Sequence, residues 1–380
     1  MLCGVSNSVG TFVAMRVLQG MGGAMMVPVG RLVVLNNTPK GKLIQAIATI
    51  TWPALVAPIL GPPIGGFLTD HASWRWIFYL NLPLGLLALV FALRLVPATT
   101  GQEKTPFDWP GFVASGIGLA SLMYGFELLG HSSPGAWQIV LLIATGALFL
   151  CLAFRHFRRA THPMIALDAL AQPTFTVTIL GGSLFRMAIG AVPFLLPLLF
   201  QLGFGFDAFH AGLLTLAVFA GNLSMKPATT RILRRFGFKP VLVVNGLINA
   251  IMLAACTLFT PTTPVFVIVT ILFIGGLCRS MQFTALNAIA FADVPTKQMS
   301  GANTLFSTAL QLTMGMGIAV GAIAIRIGTM LCQDLDLLSL PAGPYRLAFL
   351  IIATPALLAI ADCLFLKPDA GAHISRKTAR

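Results

Sequence analysis

Long runs of residues without a charged side chain limit what this chain can fold into. Residues 43–69 form one such run, and residues 241–259 and 302–325 also carry no charge. About 20 apolar residues cross the hydrocarbon core of a bilayer as a helix. Inside lipid every backbone polar group must be hydrogen-bonded internally, so only helices and closed barrels span it. The runs are too long and too continuously apolar for barrel strands, and they therefore predict transmembrane helices.

The composition supports the same class. Hydrophobic residues make up 57% of the chain and charged residues only 9%, whereas a soluble domain carries roughly 25% charged residues. The outer surface must therefore face lipid. The sequence predicts an all-α polytopic membrane protein with about eleven transmembrane helices and no room for a soluble domain. The predicted spans are residues 9–35, 43–69, 74–95, 111–129, 136–154, 174–202, 209–225, 241–259, 265–292, 302–325 and 347–365.

Basic residues are concentrated in alternate links between these spans. Positively charged loops stay on the cytoplasmic side, so the C-terminal tail is predicted inside and Met1 outside. The net charge of +13 is then a consequence of topology, and no basic patch interleaved with aromatic residues indicates nucleic-acid binding. The clusters lie at residues 40–42, 94–104, 155–159, 226–239, 297 and 367–380.

No motif indicates an enzyme, a metal site or a bound cofactor. The six cysteines are scattered without a CxxC pair or a His/Cys cluster, so neither a disulfide framework nor a metal site is predicted. The sequence shows no nucleophile–base pair and no glycine-rich phosphate loop. We therefore expect no cofactor, no metal and no catalytic residue.

Three motifs follow one another in the first quarter of the chain. Residues 16–24 read RVLQGMGGA and place Arg16 near Gly20 on one helix, where small residues let a second helix approach closely. Residues 61–66 read GPPIGG, in which proline removes a backbone donor and bends the helix. Residues 74–85 read WRWIFYLNLPLG and are typical of an interfacial aromatic belt. Taken alone, each motif is also explained by small-residue packing between helices or by an interfacial aromatic belt.

In this order and spacing the motifs resemble the fourth, fifth and sixth helices of the drug:proton antiporter branch of the major facilitator superfamily, the EmrB/QacA type with fourteen helices. Residues 107–111, FDWPG, resemble the start of its extra central helix pair, and residues 185–238 resemble the MdtD-type members most closely. The resemblance implies that the spans correspond to helices four to fourteen, with the first three not included, and that this chain alone does not transport. The positions predicted to pack closely against a neighbouring helix are those of these motifs and two glycines of an internal repeat described below, namely Gly20, Gly61, Pro62, Gly65, Gly66, Gly317 and Gly321.

The same resemblance implies a domain organisation. Residues 1–106 would be the remainder of the N-terminal helix bundle, with helices four to six, and residues 107–170 the inserted central pair. Residues 171–366 would form the C-terminal bundle and residues 367–380 a basic cytoplasmic tail.

An internal repeat indicates two related halves. A proline and two glycines recur 256 residues later, so that Pro39, Gly61 and Gly65 correspond to Pro295, Gly317 and Gly321. Weak repeats of this kind mark transporters whose substrate site lies between two similar halves.

Arg186 and Arg279 lie near the middle of predicted spans, and Arg16 lies somewhat nearer the outer end of its span. An ionisable side chain in a span faces a cavity or a partner, because exposing it to lipid is costly. By resemblance these arginines lie on the cavity-lining helices four, nine and twelve. They indicate either an electropositive substrate pathway or structural arginines bonded to backbone carbonyls. The carboxylates Glu127 and Asp362 are predicted at an interface or in packing.

Amide side chains complete the predicted pathway, although a buried amide is equally explained as a link between helices. The predicted substrate or ion pathway consists of Arg16, Gln19, Arg186, Asn222, Arg279, Gln282, Asn287 and Gln311.

Taken together, these features predict a proton-coupled secondary transporter that exports small organic compounds by alternating access, with the arginines indicating an anionic substrate. The alternatives are an uptake permease for a small organic anion and a membrane subunit without transport activity. The expected partners are the lipid bilayer, a small-molecule substrate and protons, with a periplasmic adaptor as a further candidate and no nucleic acid. The expected location is the inner, or plasma, membrane, with a multi-pass chain and a cytoplasmic C-terminus.

Overall fold

The computed structural model describes residues 2–39, 42, 45–47, 49–50, 68, 72–95, 106–129, 135–334, 342–367 and 370–371. The regular secondary structure of these residues is helical, as the uncharged runs predict. The α-helices are α1 (Val9–Asn37), α2 (Trp76–Tyr79), α3 (Asn81–Leu95), α4 (Trp109–Leu129), α5 (Ala136–Phe157), α6 (Pro173–Leu198), α7 (Ala208–Ser224), α8 (Lys226–Phe236), α9 (Phe238–Ala255), α10 (Val265–Ala290), α11 (Met299–Asp334) and α12 (Gly343–Leu364).

Most of these helices can cross a bilayer. In the part of the chain that the structure describes, nine helical stretches are long and apolar enough, and His210–Ser224 is a shorter apolar helix. They confirm the prediction of a polytopic α-helical membrane protein. The predicted span 43–69 lies largely outside the described residues. The predicted span 302–325 is too short, because the helical backbone of α11 continues through Arg326 to Asp334.

The chain divides into two compact units, the first consisting of Met1–Asn37 and Ile50–Pro106. In this unit Phe12 of α1 packs edge-to-face against Trp74 and Phe78, with ring centroids 5.8 and 5.7 Å apart. Edge-to-face pairs are favourable beyond the area that they bury. These contacts hold the beginning of α1 against the segment that contains α2.

The second unit consists of Thr38–Thr49 and Phe107–Arg380. Here α4 packs along α5 and against α11, α6 packs against α11 and α12, α7 against α10, and α9 against both α10 and α12. The core includes the fully buried side chains of Leu195, Phe200 and Phe349. Lipid is as apolar as these side chains, so close van der Waals packing, and not the exclusion of water, holds the helices together.

Asp108 explains the FDWPG motif at the start of α4. Its carboxylate accepts hydrogen bonds from the backbone N–H of Gly111 (2.9 Å) and Met164 (3.0 Å) and lies 2.8 Å from Nε2 of His156. Burial raises the pKa of Asp108, but the hydrogen bonds from Met164, Gly111 and His156 outweigh burial and lower it. One carboxylate therefore ties the start of α4 to the end of α5 and to the segment leading into α6.

The most basic link of the chain contains the helix α8, which counting apolar spans does not reveal. Arg231, Arg234 and Arg235 are exposed on this helix, whereas Leu233 is fully buried. Gly237 ends the helix with a positive φ of 79°, a conformation that favours glycine. The link is thus an amphipathic helix packed against the bundle.

Candidate functional site

In the first unit, Arg16 is held by local contacts. Its Nη1 donates to Oε1 of Gln19 at 3.1 Å, and its guanidinium carbon lies 5.2 Å from the ring centroid of Phe78. A guanidinium above an aromatic face is attracted by the ring quadrupole. No described atom lies within 4 Å of a Cβ built on Gly20. Gly61, Pro62, Gly65 and Gly66 lie outside the described residues, so the close-packing role of the antiporter motif stays a prediction.

Arg186 lies near the middle of α6 and is 1% exposed. Its Nη1 donates to the carbonyl oxygen of Thr178 at 3.0 Å, and its guanidinium lies 4.8 Å from the ring centroid of Phe306. Gly182 leaves room for the Arg186 side chain, because a Cβ at this position would lie only 3.2 Å from Nη1 of Arg186. These contacts favour a structural role for Arg186.

Arg279 lies near the middle of the 26-residue helix α10. It lines a cavity of about 30 Å³ together with Asn249 of α9 and apolar side chains that include Ile189 of α6. Arg186 does not line this cavity. Within the second unit, the structure therefore places the two predicted pathway arginines in different surroundings.

Gln282 takes part in a buried polar network between α9 and α10. Asn245 donates through Nδ2 to Oε1 of Gln282 at 2.9 Å and to the carbonyl oxygen of Cys278 at 2.8 Å. Nε2 of Gln282 donates to the carbonyl oxygen of Leu242 at 3.2 Å. The network links the two helices. Asn245, absent from the predicted set, stands out in sequence only as an amide in an uncharged run.

Asn222 lies beside a close crossing of α7 and α10. A Cβ added to Gly221 or Gly276 would overlap with a carbonyl oxygen of the opposite helix, and one on Gly276 would lie 3.0 Å from the backbone N of Asn222. Asn287 is buried on α10 without a hydrogen bond to its Oδ1 from a described residue. Gln311 is exposed on α11. The described contacts do not join these three amides into one cluster.

Facing glycines also define the crossing of α6 and α11. A Cβ added to Gly317 would lie 2.6 Å from the carbonyl oxygen of Met187, and one added to Gly190 would lie 2.9 Å from that of Met314. Both separations are shorter than real Cβ contacts, so a side chain at either position would push the helices apart. A Cβ on Gly321, one turn further along, would meet the Phe194 ring at 3.1 Å.

Lys226 is a buried cation that the sequence reasoning missed. It is 6% exposed at the start of α8, and its Nζ donates to the hydroxyl oxygen of Thr284 at 2.9 Å. Burial lowers its pKa from 10.5 to about 8. Its position in a basic link made it look like one more cytoplasmic surface charge.

A larger cavity of about 530 Å³ lies between α4, α6 and α11. Its lining includes Tyr124 and Glu127 of α4, Phe194 of α6 and Ile318 of α11. This volume is in the range of ordinary ligand pockets, roughly 300–1,000 Å³. Asp362, the other carboxylate within a predicted span, lies near the end of α12, where a Cβ on Gly181 would meet its Cβ at 2.9 Å.

The described helices, joined by glycine crossings and interhelical amides, define a polytopic α-helical membrane protein. Among the described residues, no group of three or more His, Cys, Asp and Glu side chains could hold a metal ion. The sequence model of the Major Facilitator Superfamily matches residues 1–318 and, in a second match, 178–380. The chain belongs to this family, as its motifs predict, and it is therefore a secondary transporter and not an enzyme.

Three relatives carry the name "Putative multidrug resistance protein MdtD". The protein from Pectobacterium atrosepticum is 36% identical over 86% of this chain and 70% of its own length. Those from Pectobacterium carotovorum and Serratia proteamaculans are 35% and 34% identical, over 86% and 85% of this chain and 70% and 68% of their own lengths. The resemblance to the MdtD-type members is confirmed.

Proposed function

We propose that this protein is a proton-coupled exporter of small organic compounds that works by alternating access in the inner, or plasma, membrane. The proposal rests on the similarity to proteins named for multidrug resistance, which reaches 36% identity over 86% of the chain for one relative. The geometry supports it as well. The crossings of α6 with α11 and of α7 with α10 bring backbone against backbone, which suits a bundle that moves as a rigid body in alternating access.

The proposed orientation puts the C-terminus and α8 in the cytoplasm. Arg231, Arg234 and Arg235 are exposed on α8, and positive charge in short links is retained on the cytoplasmic side. The same rule applies to the basic residues of the C-terminal tail.

Proton coupling requires a group that gains and loses a proton near the pH of the cell. Lys226 supports this part of the proposal, because burial lowers its pKa to about 8. Its partner, the Thr284 hydroxyl, can accept a hydrogen bond from the ammonium form and donate one to the neutral amine. The pair can therefore keep a hydrogen bond in both protonation states.

An anionic substrate, which the sequence also indicates, stays a prediction. It needs Arg16, Arg186 and Arg279 to face one cavity. Arg186 instead bonds a carbonyl oxygen and packs on Phe306, and the cavity beside Arg279 has a volume of only about 30 Å³. Ordinary ligand pockets hold roughly 300–1,000 Å³. The described surroundings of Arg186 and Arg279 therefore do not favour binding of an organic anion by these two side chains.

Proteoliposomes with a pH-sensitive dye inside test the function, and they are reconstituted with a version of the protein that also carries the family's first three helices. We expect a lipophilic compound such as ethidium to be moved against its gradient when a proton gradient is imposed, with proton counterflow reported by the dye and both abolished by a protonophore. Lys226→Met should permit downhill movement of the compound but lose the proton counterflow, because its side chain cannot be protonated.

Three other outcomes would contradict the proposal in different ways. Movement that ignores the proton gradient would exclude proton coupling. Accumulation of an organic anion in the direction of import would identify an uptake permease. Proton counterflow that persists in Lys226→Met would leave an antiporter whose coupling group is not Lys226.

A further inference from the structure

The cavity beside Arg279 lies inside the second unit, between α6, α7, α9, α10 and α12. Its lining is apolar, with Val218 and Phe349 among its walls, apart from Arg279, Asn249 and the thiol of Cys256. The thiol donates to the carbonyl oxygen of Met252 at 3.3 Å. Since one water needs roughly 10–15 Å³, a volume of about 30 Å³ suits one monatomic ion or two waters.

Two of the side chains that line this cavity carry hydrogen-bond donors. Asn249 is 3% exposed, and its Nδ2 makes no hydrogen bond to a described residue. Arg279 is half-buried and makes no hydrogen bond or ion pair with the described part of the chain. A buried donor without a partner, as at Asn249, is costly, and a partly buried charge without a counter-charge is also unfavourable. The cavity therefore combines a fixed positive charge with an amide N–H that has no protein acceptor.

We propose that this cavity binds a small inorganic anion, a halide, between the guanidinium of Arg279 and Nδ2 of Asn249. Arg279 stays charged at any accessible pH, and none of the lining side chains, all of them described, carries a carboxylate. Two waters would satisfy the donors but leave the charge uncompensated. The bound anion compensates that charge and links α10 to α9.

The apolar walls also select among anions. An ion that enters a dry cavity loses its hydration, and bromide and iodide lose less than fluoride. The site therefore prefers large, weakly hydrated halides up to the size that the cavity admits. Its volume excludes an organic compound, so the anion is a structural ligand of the bundle and the inference stands apart from the proposed export function.

Bromide is the probe for this site. The thermal stability of the purified full chain in detergent would be measured against bromide concentration, with gluconate replacing bromide at constant ionic strength. A ligand that binds only the folded state raises the melting temperature with concentration. We expect a saturable rise of a few degrees, with bromide more effective than fluoride.

Two substitutions locate the effect. Arg279→Gln removes the charge and should lose the bromide response. Asn249→Asp places a carboxylate beside Arg279, so this variant should lose the response while remaining as stable in gluconate as the original chain is in bromide. Lys226→Met is the matched control, because it removes another buried cation of the same unit, bonded to Thr284, and should keep the response.

The inference is overturned if the original chain shows no saturable bromide response. It is equally overturned if Asn249→Asp or a folded Arg279→Gln responds as the original chain does, because the anion would then bind elsewhere. A loss of the response in Lys226→Met as well would show that the effect is not specific to this cavity.

Discussion

Replacing Lys226 with methionine removes a charge that is buried at the start of α8. Methionine keeps most of the length of the side chain and packs adaptably in apolar surroundings. Lys226 is 6% exposed, and among the described residues its Nζ bonds only the Thr284 hydroxyl, at 2.9 Å. The substitution therefore exchanges an incompletely compensated ammonium group for an apolar one.

The effect on stability depends on pH. The pKa of Lys226 is 10.5 in the absence of burial and about 8 in the folded chain. Below pH 8 both states bind the proton, and folding bears the full cost of burying the charge. Between about 8 and 10.5 the unfolded state binds more protons than the folded state, so the folded chain gains stability as the pH rises.

The size of this gain follows from the lowered pKa. At about 1.36 kcal/mol per pKa unit, it amounts to roughly 3 kcal/mol across the window. The methionine variant also loses the hydrogen bond to Thr284, worth about 1 kcal/mol. Near pH 7.5 we expect Lys226→Met to be more stable than the original chain by roughly 2 kcal/mol, and this advantage should disappear toward pH 10.5.

The measurement is a thermal unfolding series of both chains in detergent from pH 7 to 10.5. Lys239→Met is the control, because it makes the same chemical change at a less buried lysine near the same helix. Taking the difference between variant and original chain at each pH removes the titration of all other groups. A difference that does not change with pH, or a lower stability of Lys226→Met at pH 7.5, would refute the predicted cost of burying this charge.

Three further predictions concern packing, capping and topology. In a version of the protein that also carries the family's first three helices, Gly317→Leu should force α6 and α11 apart and abolish transport. Gly212→Leu is the control and should transport normally, because no described atom lies within 4 Å of a Cβ there. Equal activity of the two variants would show that the crossing is not tight. Asp108→Ala should destabilise the chain by about 1–3 kcal/mol at neutral pH. The folded state lowers the pKa of Asp108 from 3.8, so the Asp108 carboxylate stabilises the folded chain above pH 3.8. This stabilisation is lost as the pH falls through the folded pKa. The free energies of unfolding of the original chain and Asp108→Ala should therefore become equal in acid. Arg235→Cys should resist a membrane-impermeant maleimide in intact cells but react after permeabilisation, and efficient labelling from outside would reverse the proposed orientation.

The membrane class, the helical spans and the family could be predicted from the sequence. Each transmembrane helix satisfies its own backbone within about 20 residues, so a span is visible as a local run without reference to the rest of the fold. The motifs at residues 16–24, 61–66 and 74–85 are equally local, and they sufficed to recognise the family. These conclusions needed no contact between distant residues.

The surroundings of the polar residues could not be predicted in this way. Arg186 and Arg279 both lie near the middle of a span, yet one bonds a carbonyl of its own helix and the other lines a small cavity. Gln282 pairs with Asn245, which is 37 positions away, and Lys226 reaches Thr284 across 58 positions. Whether a polar side chain meets a partner, a cavity or lipid depends on which helix packs beside it. Which helices pack together depends on how closely their surfaces fit, because lipid is as apolar as the helix surfaces themselves. Only the tertiary structure shows this pairing.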